Sequence, residues 1–166
     1  FMVGCNLNTM ATTYTISNTN DAGAGSLRQA ITDANAAGNG PHTFTMTTTG
    51  TIVLASDLPA ITVSDITFDA ENKLVIQGNA TGGDVGRYII QIGAGGNNTT
   101  LKNFVVQNIG VAVIRITAAI SGLTIDNIDA TQVGASAGNY IDYYLYTASA
   151  IDDLTVTNST IEYVQD

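Results

Sequence analysis

Positive charge is what this chain has least of: five Lys and Arg stand against 14 Asp and Glu, for a net charge of −9. With no basic run anywhere, the chain repels a phosphate backbone, which argues against nucleic acid as a partner. Cysteine is almost absent too. Cys5 has no second cysteine to pair with, so no internal disulfide forms and the fold must rest on packing. The stretch Met2-Val3-Gly4-Cys5 resembles the end of a bacterial lipoprotein signal, yet residues 1–4 still precede the cysteine, so Cys5 is read as a buried thiol. The single histidine, His42, follows Pro41 in what reads as a loop, with no evident Ser or Cys partner, which leaves a nucleophilic triad without support. No run approaches the roughly 18 apolar residues of a membrane-spanning helix, and no full signal peptide is visible. The chain opens on Phe1 rather than Met, as expected of a processed end or an ordered piece of a secreted protein.

What is present is a core without a charged surface. Hydrophobic residues make up 45% of the 166 positions and charged ones only 11%, so hydroxyls and amides must solubilise the exterior. Length and apolar content fit one domain with ample material to bury. One stretch reads as a helix: Ser26 can cap it, Gln29 stands three residues on as in a capping box, and Leu27, Ala30, Ile31 and Ala34 share a face. Gly38 ends it, giving a helix over 26–37 suited to sealing one end of a β-rich core. Residues 13–17 alternate as a half-buried strand, and 18–25 read as a turn-rich loop. Short β-forming runs then recur at 51–54, 66–68, 74–76, 88–92, 101–106, 111–116, 123–128, 141–146 and 154–156. No helical pattern lies between them, which excludes a doubly wound α/β sheet and leaves a sandwich, a barrel or a solenoid.

Internal repetition selects the solenoid. Thr99-Thr100-Leu101-Lys102-Asn103-Phe104, Leu123-Thr124-Ile125-Asp126-Asn127-Ile128 and Leu154-Thr155-Val156-Thr157-Asn158-Ser159 align position by position, with Asn 24 and 31 residues apart. A weaker copy, Ile66-Thr67-Phe68-Asp69-Ala70, carries Ala where Asn would stand. Asn tolerates the left-handed conformation of a tight bend, and its amide can bond to the Asn of the next coil. Asn103, Asn127 and Asn158 are therefore expected to stack as a ladder.

The segment Ser17-Asn18-Thr19-Asn20-Asp21-Ala22-Gly23-Ala24-Gly25-Ser26-Leu27-Arg28-Gln29-Ala30-Ile31, followed by Leu58-Pro59-Ala60-Ile61 and Ile66-Thr67-Phe68-Asp69, resembles the N-terminal part of bacterial secreted right-handed β-helix surface proteins of pectate-lyase-like type. The similarity covers most of 13–130, the first segment being its most specific part. The resemblance implies an N-terminal helical cap, an extracellular or cell-surface location, and a role in adhesins or surface assemblies.

Chemistry is sparse. Enzymes on this fold cleave acidic polysaccharides with clustered carboxylates, often around calcium. Here Asp65, Asp69, Asp126, Asp129, Asp142, Asp152 and Asp153 are spread over turns and strands, and the adjacent pair Asp152-Asp153 would face opposite ways in a strand. Arg87 and Arg115 could lie on successive coils and bind a carboxylate, but an Arg edging a solenoid turn more often makes a local ion pair, which is the expectation here. Gly93-Ala94-Gly95-Gly96 lacks the Lys and the helix of a phosphate loop. Thr43, Thr45, Thr47, Thr49 and Thr51 would line one strand face, a pattern ice-binding solenoids share, but no matching array is evident over successive coils. Sequons at Asn79, Asn97, Asn98 and Asn158 could carry glycans. Tyr140, Tyr143, Tyr144 and Tyr146 are the best sugar-contacting candidates. No amphipathic helix or charged segment follows 154–163 to cover the last coil, so an exposed apolar coil is expected, either because the sequence is a piece of a longer β-helix or because subunits stack head to tail.

The expectation is an all-β, right-handed parallel β-helix (β-solenoid) over 13–166 with one N-terminal capping α-helix. Residues 1–12 form an extended segment in which Phe1, Met2 and Val3 could add to a neighbouring subunit. The expected role is structural, in a self-associating surface filament or adhesin, with no catalytic residue, cofactor, metal or membrane span. A carbohydrate-binding or carbohydrate-cleaving module, with surface polysaccharide as partner, is the alternative.

Overall fold

The fold is that of a computed structural model that describes residues 11–78, 88–109, 112–132 and 143–163. The chain is mostly β, with one helix among the described residues. In chain order the elements are β1 (Thr12–Ile16), α1 (Leu27–Ala37), β2 (His42–Met46), β3 (Gly50–Val53), β4 (Ile66–Gln77), β5 (Tyr88–Ile92), β6 (Thr99–Gln107), β7 (Ala112–Ile116), β8 (Ile120–Gln132), β9 (Tyr143–Thr147), β10 (Ile151–Thr157) and β11 (Thr160–Tyr163). They form two parallel sheets. The larger runs β1-β2-β4-β6-β8-β10, with β3 beside β4 and β11 beside β8, and the smaller runs β5-β7-β9.

Alternation sets which side chains face inward, and parallel register stacks them into columns. One column runs Tyr14, Phe44, Phe68, Leu101, Ile125 and Val156, and another runs Ile52, Ile76, Val106 and Ala130. From the smaller sheet, Ile90, Ile114 and Leu145 add a third. Phe68 and Phe104 stack with centroids 5.3 Å apart, while Phe44 tilts against Phe68 at 6.1 Å. A fully buried side chain of this size contributes about 1.5–3 kcal/mol, whereas one hydrogen bond nets about 1 kcal/mol. Packing therefore supplies the stability, and polar ladders supply the register.

Helix α1 packs its buried face, Leu27, Ala30, Ile31 and Ala34, into the same core beside β1. Ser26 has an extended backbone and its hydroxyl accepts the Gln29 N–H at 3.2 Å. The reciprocal half of a capping box is missing, because the Ser26 N–H already bonds Gly23 O and the Gln29 amide reaches forward to Asp33 Oδ1. Arg28 ties the helix to the loop after β3, donating to Ser56 O and Asp57 O and pairing with Asp21 at 2.7 Å.

Several elements differ from the sequence reading. The runs at 66–68 and 74–76 are one strand, β4, with an irregularity between Asp69 and Leu74 where β6 carries a single residue, Asn103. The strands β6 and β8 outrun their apolar cores because a left-handed Asn bends the strand without ending its pairing. The threonines from Thr43 to Thr51 do not line one strand. β2 ends at Met46 and β3 begins at Gly50, so Thr49 and Thr51 lie beyond the bend that Thr43 and Thr45 precede. His42 is no loop residue: it opens β2 with its ring buried.

Candidate functional site

Two rows of left-handed corners flank the short strand that recurs in each rung. In the first row Asn103, Asn127 and Asn158 have φ of 63°, 51° and 50°, each directly following the mutually paired Lys102, Asp126 and Thr157. Asn127 Nδ2 donates to Asn103 Oδ1 at 2.9 Å, and Asn103 Nδ2 donates to Asp69 Oδ1 at 2.8 Å. Asn158 departs from this line: it donates to Asp126 Oδ1 at 2.9 Å rather than to Asn127. The Asn127 amide also reaches Asn72 Oδ1 at 3.0 Å, in the insertion where the weak copy has Ala70. The second row, Asp65, Asn98, Gly122 and Asp153, has φ of 60°, 53°, 74° and 57°. Asn98 donates to Asp65 Oδ1 at 2.9 Å, and a Cβ on Gly122 would sit 2.5 Å from Asn98 Oδ1, so the row narrows to glycine there. Sequence reasoning missed this row, although it stands five positions before each ladder Asn.

The carboxylates in these rows are acceptors, and that sets their acidity. Burial pushes the Asp69 carboxyl up, but the Asn103 amide, the Glu71 N–H and Lys102 at 3.1 Å outweigh it and hold it below the usual carboxylate range. Hydrogen bonds from Ser64 and Asn98 lower Asp65, and those from Thr157 and Asn158 lower Asp126. Spread along the stack, these groups structure corners instead of converging on a substrate. No group of three or more metal-ligating side chains occurs among the described residues.

On the outer face of the large sheet one threonine per rung lies in register: Thr13, Thr43, Thr67, Thr100, Thr124 and Thr155. The array that a reading along single strands does not reveal thus exists across them, and the signal was present, since Thr100, Thr124 and Thr155 each stand three before a ladder Asn. The neighbouring column reads Thr15, Thr45, Asp69, Lys102, Asp126 and Thr157. Its charged centre, with the Lys102–Asp69 pair, breaks up a flat hydroxyl lattice.

The outer face of the small sheet carries the most concentrated chemistry. Gln91, Arg115 and Tyr146 occupy successive rungs. The Arg115 guanidinium lies 4.6 Å over the Tyr88 ring, and the Tyr88 and Tyr146 centroids are 6.1 Å apart. Arg115 donates to Gln91 Oε1 at 3.4 Å, while Gln91 Nε2 faces Asp57 Oδ2 and Leu58 O, both at 3.4 Å. No carboxylate among the described residues forms a salt bridge with Arg115. Tyr146 is 36% exposed. Of the other expected sugar-contacting residues, Tyr140 lies outside the described residues, as does Arg87, and Tyr143 and Tyr144 are placed only as strand positions in β9.

The remaining expectations fall in separate places. Among the sequons, Asn97 accepts the Ser121 N–H through its side-chain Oδ1, which a glycan on Nδ2 would not occupy, whereas Asn98 and Asn158 donate through Nδ2 in the corner rows, so a glycan there would compete with those bonds. Asn79 lies outside the described residues, as do Asp142, Cys5 and the contact segment Phe1, Met2 and Val3. His42 Nε2 bonds Gly38 O at 2.7 Å, its Nδ1 has no hydrogen-bond partner among the described residues, and its ring meets Tyr14 edge-on at 5.5 Å, an arrangement of packing rather than proton transfer. At β10 the inward columns reach solvent: Leu154 and Val156 are 42% and 48% exposed, although their rung partners Leu123 and Ile125 are fully buried. No described helix is long and apolar enough to cross a membrane.

Stacked parallel rungs with polar corners define the class, a mostly β protein of parallel sheets. No family model matches the chain, and no curated protein matches it.

Proposed function

We propose that this chain is a right-handed parallel β-helix acting outside the cell as a structural element of a surface assembly, filament or adhesin, its copies associating end to end. The observation that carries the reading is the exposure of Leu154 and Val156 on β10, whose rung partners are buried. An apolar face continuous with a parallel ladder invites another chain to extend it. Helix α1 occupies the β1 side of the core, so association uses the β10 face. The resemblance of residues 17–31 to secreted β-helix surface proteins supports the extracellular placement, as does a surface built from Thr and Asn in place of Lys and Glu. Negative-stain electron microscopy and sedimentation across a concentration series test it: elongated multimers that grow with concentration are expected and disappear in the Leu154→Asp/Val156→Asp double variant. A monomer at every concentration overturns the proposal.

A second reading, glycan binding on the small sheet, is favoured by one specific observation: the cluster of Tyr88, Arg115 and Tyr146 joins aromatic faces to a cation with no carboxylate partner among the described residues. Tyrosines offer an apolar face with a polar rim, which suits the mixed surface of a sugar ring.

A further inference from the structure

The guanidinium of Arg115 is held in place with no carboxylate partner among the described residues. Asp57 and Leu58 O orient the Gln91 amide so that its Oε1 faces Arg115, and the Tyr88 ring supports the guanidinium from one side at 4.6 Å. Its one side-chain acceptor among the described residues, Gln91 Oε1, is a long 3.4 Å away, so most of its five N–H donors meet no acceptor among those residues. Elsewhere basic side chains have acid partners: Arg28 pairs with Asp21, Lys73 with Glu71 and Lys102 with Asp69. In a chain with 14 acidic residues and five basic ones, Arg115 is the exception among the described basic residues in having no carboxylate partner among those residues.

We propose that Arg115, Tyr88 and Tyr146 bind a terminal sugar acid, a single carboxylated saccharide unit at the end of an otherwise neutral glycan. The inference rests on the glycan-binding reading and narrows it. A guanidinium matches a carboxylate in a bidentate, charge-assisted pair, and Tyr146, on the rung next to Arg115, supplies an exposed ring for the sugar. The net charge of −9 sets the limit on size: one local cation captures one carboxylate, but the field of the whole molecule opposes a polyanion. A polyuronate is therefore a poor ligand. One such contact gives weak affinity, about 1 mM or weaker for the isolated sugar.

The test is NMR titration of the isotope-labelled full chain with methyl glucuronide, methyl glucoside and polygalacturonate, following the Arg115 side-chain N–H and the tyrosine rings. Methyl glucuronide is expected to shift these resonances saturably, with at least a fivefold weaker response to the glucoside. Arg115→Gln should abolish that preference and Arg115→Lys should reduce it, with the folded state of each checked by circular dichroism. Tyr146→Ala, at an exposed position, should weaken binding of the glucuronide without removing the preference. Equal response to glucuronide and glucoside overturns the sugar-acid proposal while leaving glycan binding intact. No response to any of the three overturns both, and tighter binding of polygalacturonate per carboxylate overturns the single-carboxylate limit.

Discussion

A left-handed backbone costs an L-residue with a full side chain about 1–2 kcal/mol, and Asn offsets part of this through local hydrogen bonding. Asn127 combines both roles, with φ of 51° and an amide shared between Asn103 and Asn72. Asn127→Ala should therefore lose both, lowering stability by about 2–3 kcal/mol. Asn127→Gly removes the amide but relieves the backbone, so its loss should be smaller, about 1 kcal/mol. Urea unfolding of the three proteins decides it; an alanine variant as stable as the glycine variant would show that the corner does not depend on φ. The Asn103 and Asn127 positions were legible because Asn recurs at the same place in aligned hexapeptides. Asn158 matched that pattern equally well, yet its amide turns to Asp126, because which acceptor lies nearest is decided by the neighbouring rung and not by the repeat.

At the scale of elements, α1 was legible to within a residue because a capping serine, an apolar face and a terminal glycine agree. Ser26→Ala removes the hydroxyl acceptor for Gln29 N–H and should cost about 1 kcal/mol. Amide hydrogen exchange should show the loss concentrated in the first turn of α1, with β6 and β8 unchanged; uniform loss across the molecule would mean that helix and ladder unfold as one unit. Strand limits were less legible. A bend through a left-handed Asn looks like the end of a strand when read along the chain, but pairing with the rungs on either side carries β8 from Ile120 to Gln132. The threonine column has the same origin, since its members are dozens of residues apart in sequence and meet only through register.

For the molecule as a whole, the carboxylates of the corner rows link stability to pH. Asp65, Asp69 and Asp126 all have folded-state pKa values held below the ordinary aspartate value by the hydrogen bonds they accept. A depressed carboxylate contributes stability that is fully present above its unfolded pKa and is lost as pH falls through the folded one. These three groups thus leave stability level above about pH 4 to 5 and withdraw it progressively below 3.8. Thermal unfolding from pH 7 to pH 2 should show the melting temperature dropping at the acid end, and Asp69→Asn, which keeps an oxygen acceptor for Asn103, should flatten part of the drop. A melting temperature that rises on acidification would mean that relief of self-repulsion in a chain of net charge −9 outweighs the corner bonds.

Composition and local pattern by themselves determined that this chain has a large apolar core, no internal disulfide, one amphipathic helix near its start and a succession of short β-rungs bent at asparagines. These properties depend on neighbours within a few residues, where alternation, capping and turn preference act. Only the tertiary structure decided which rung lies on which, and with it the second corner row, the threonine column, the exposed end at β10 and the grouping of Tyr88, Gln91, Arg115 and Tyr146. Each arises from parallel pairing across connections of different lengths, and the periodicity within a strand carries no record of what the next rung will place beside it.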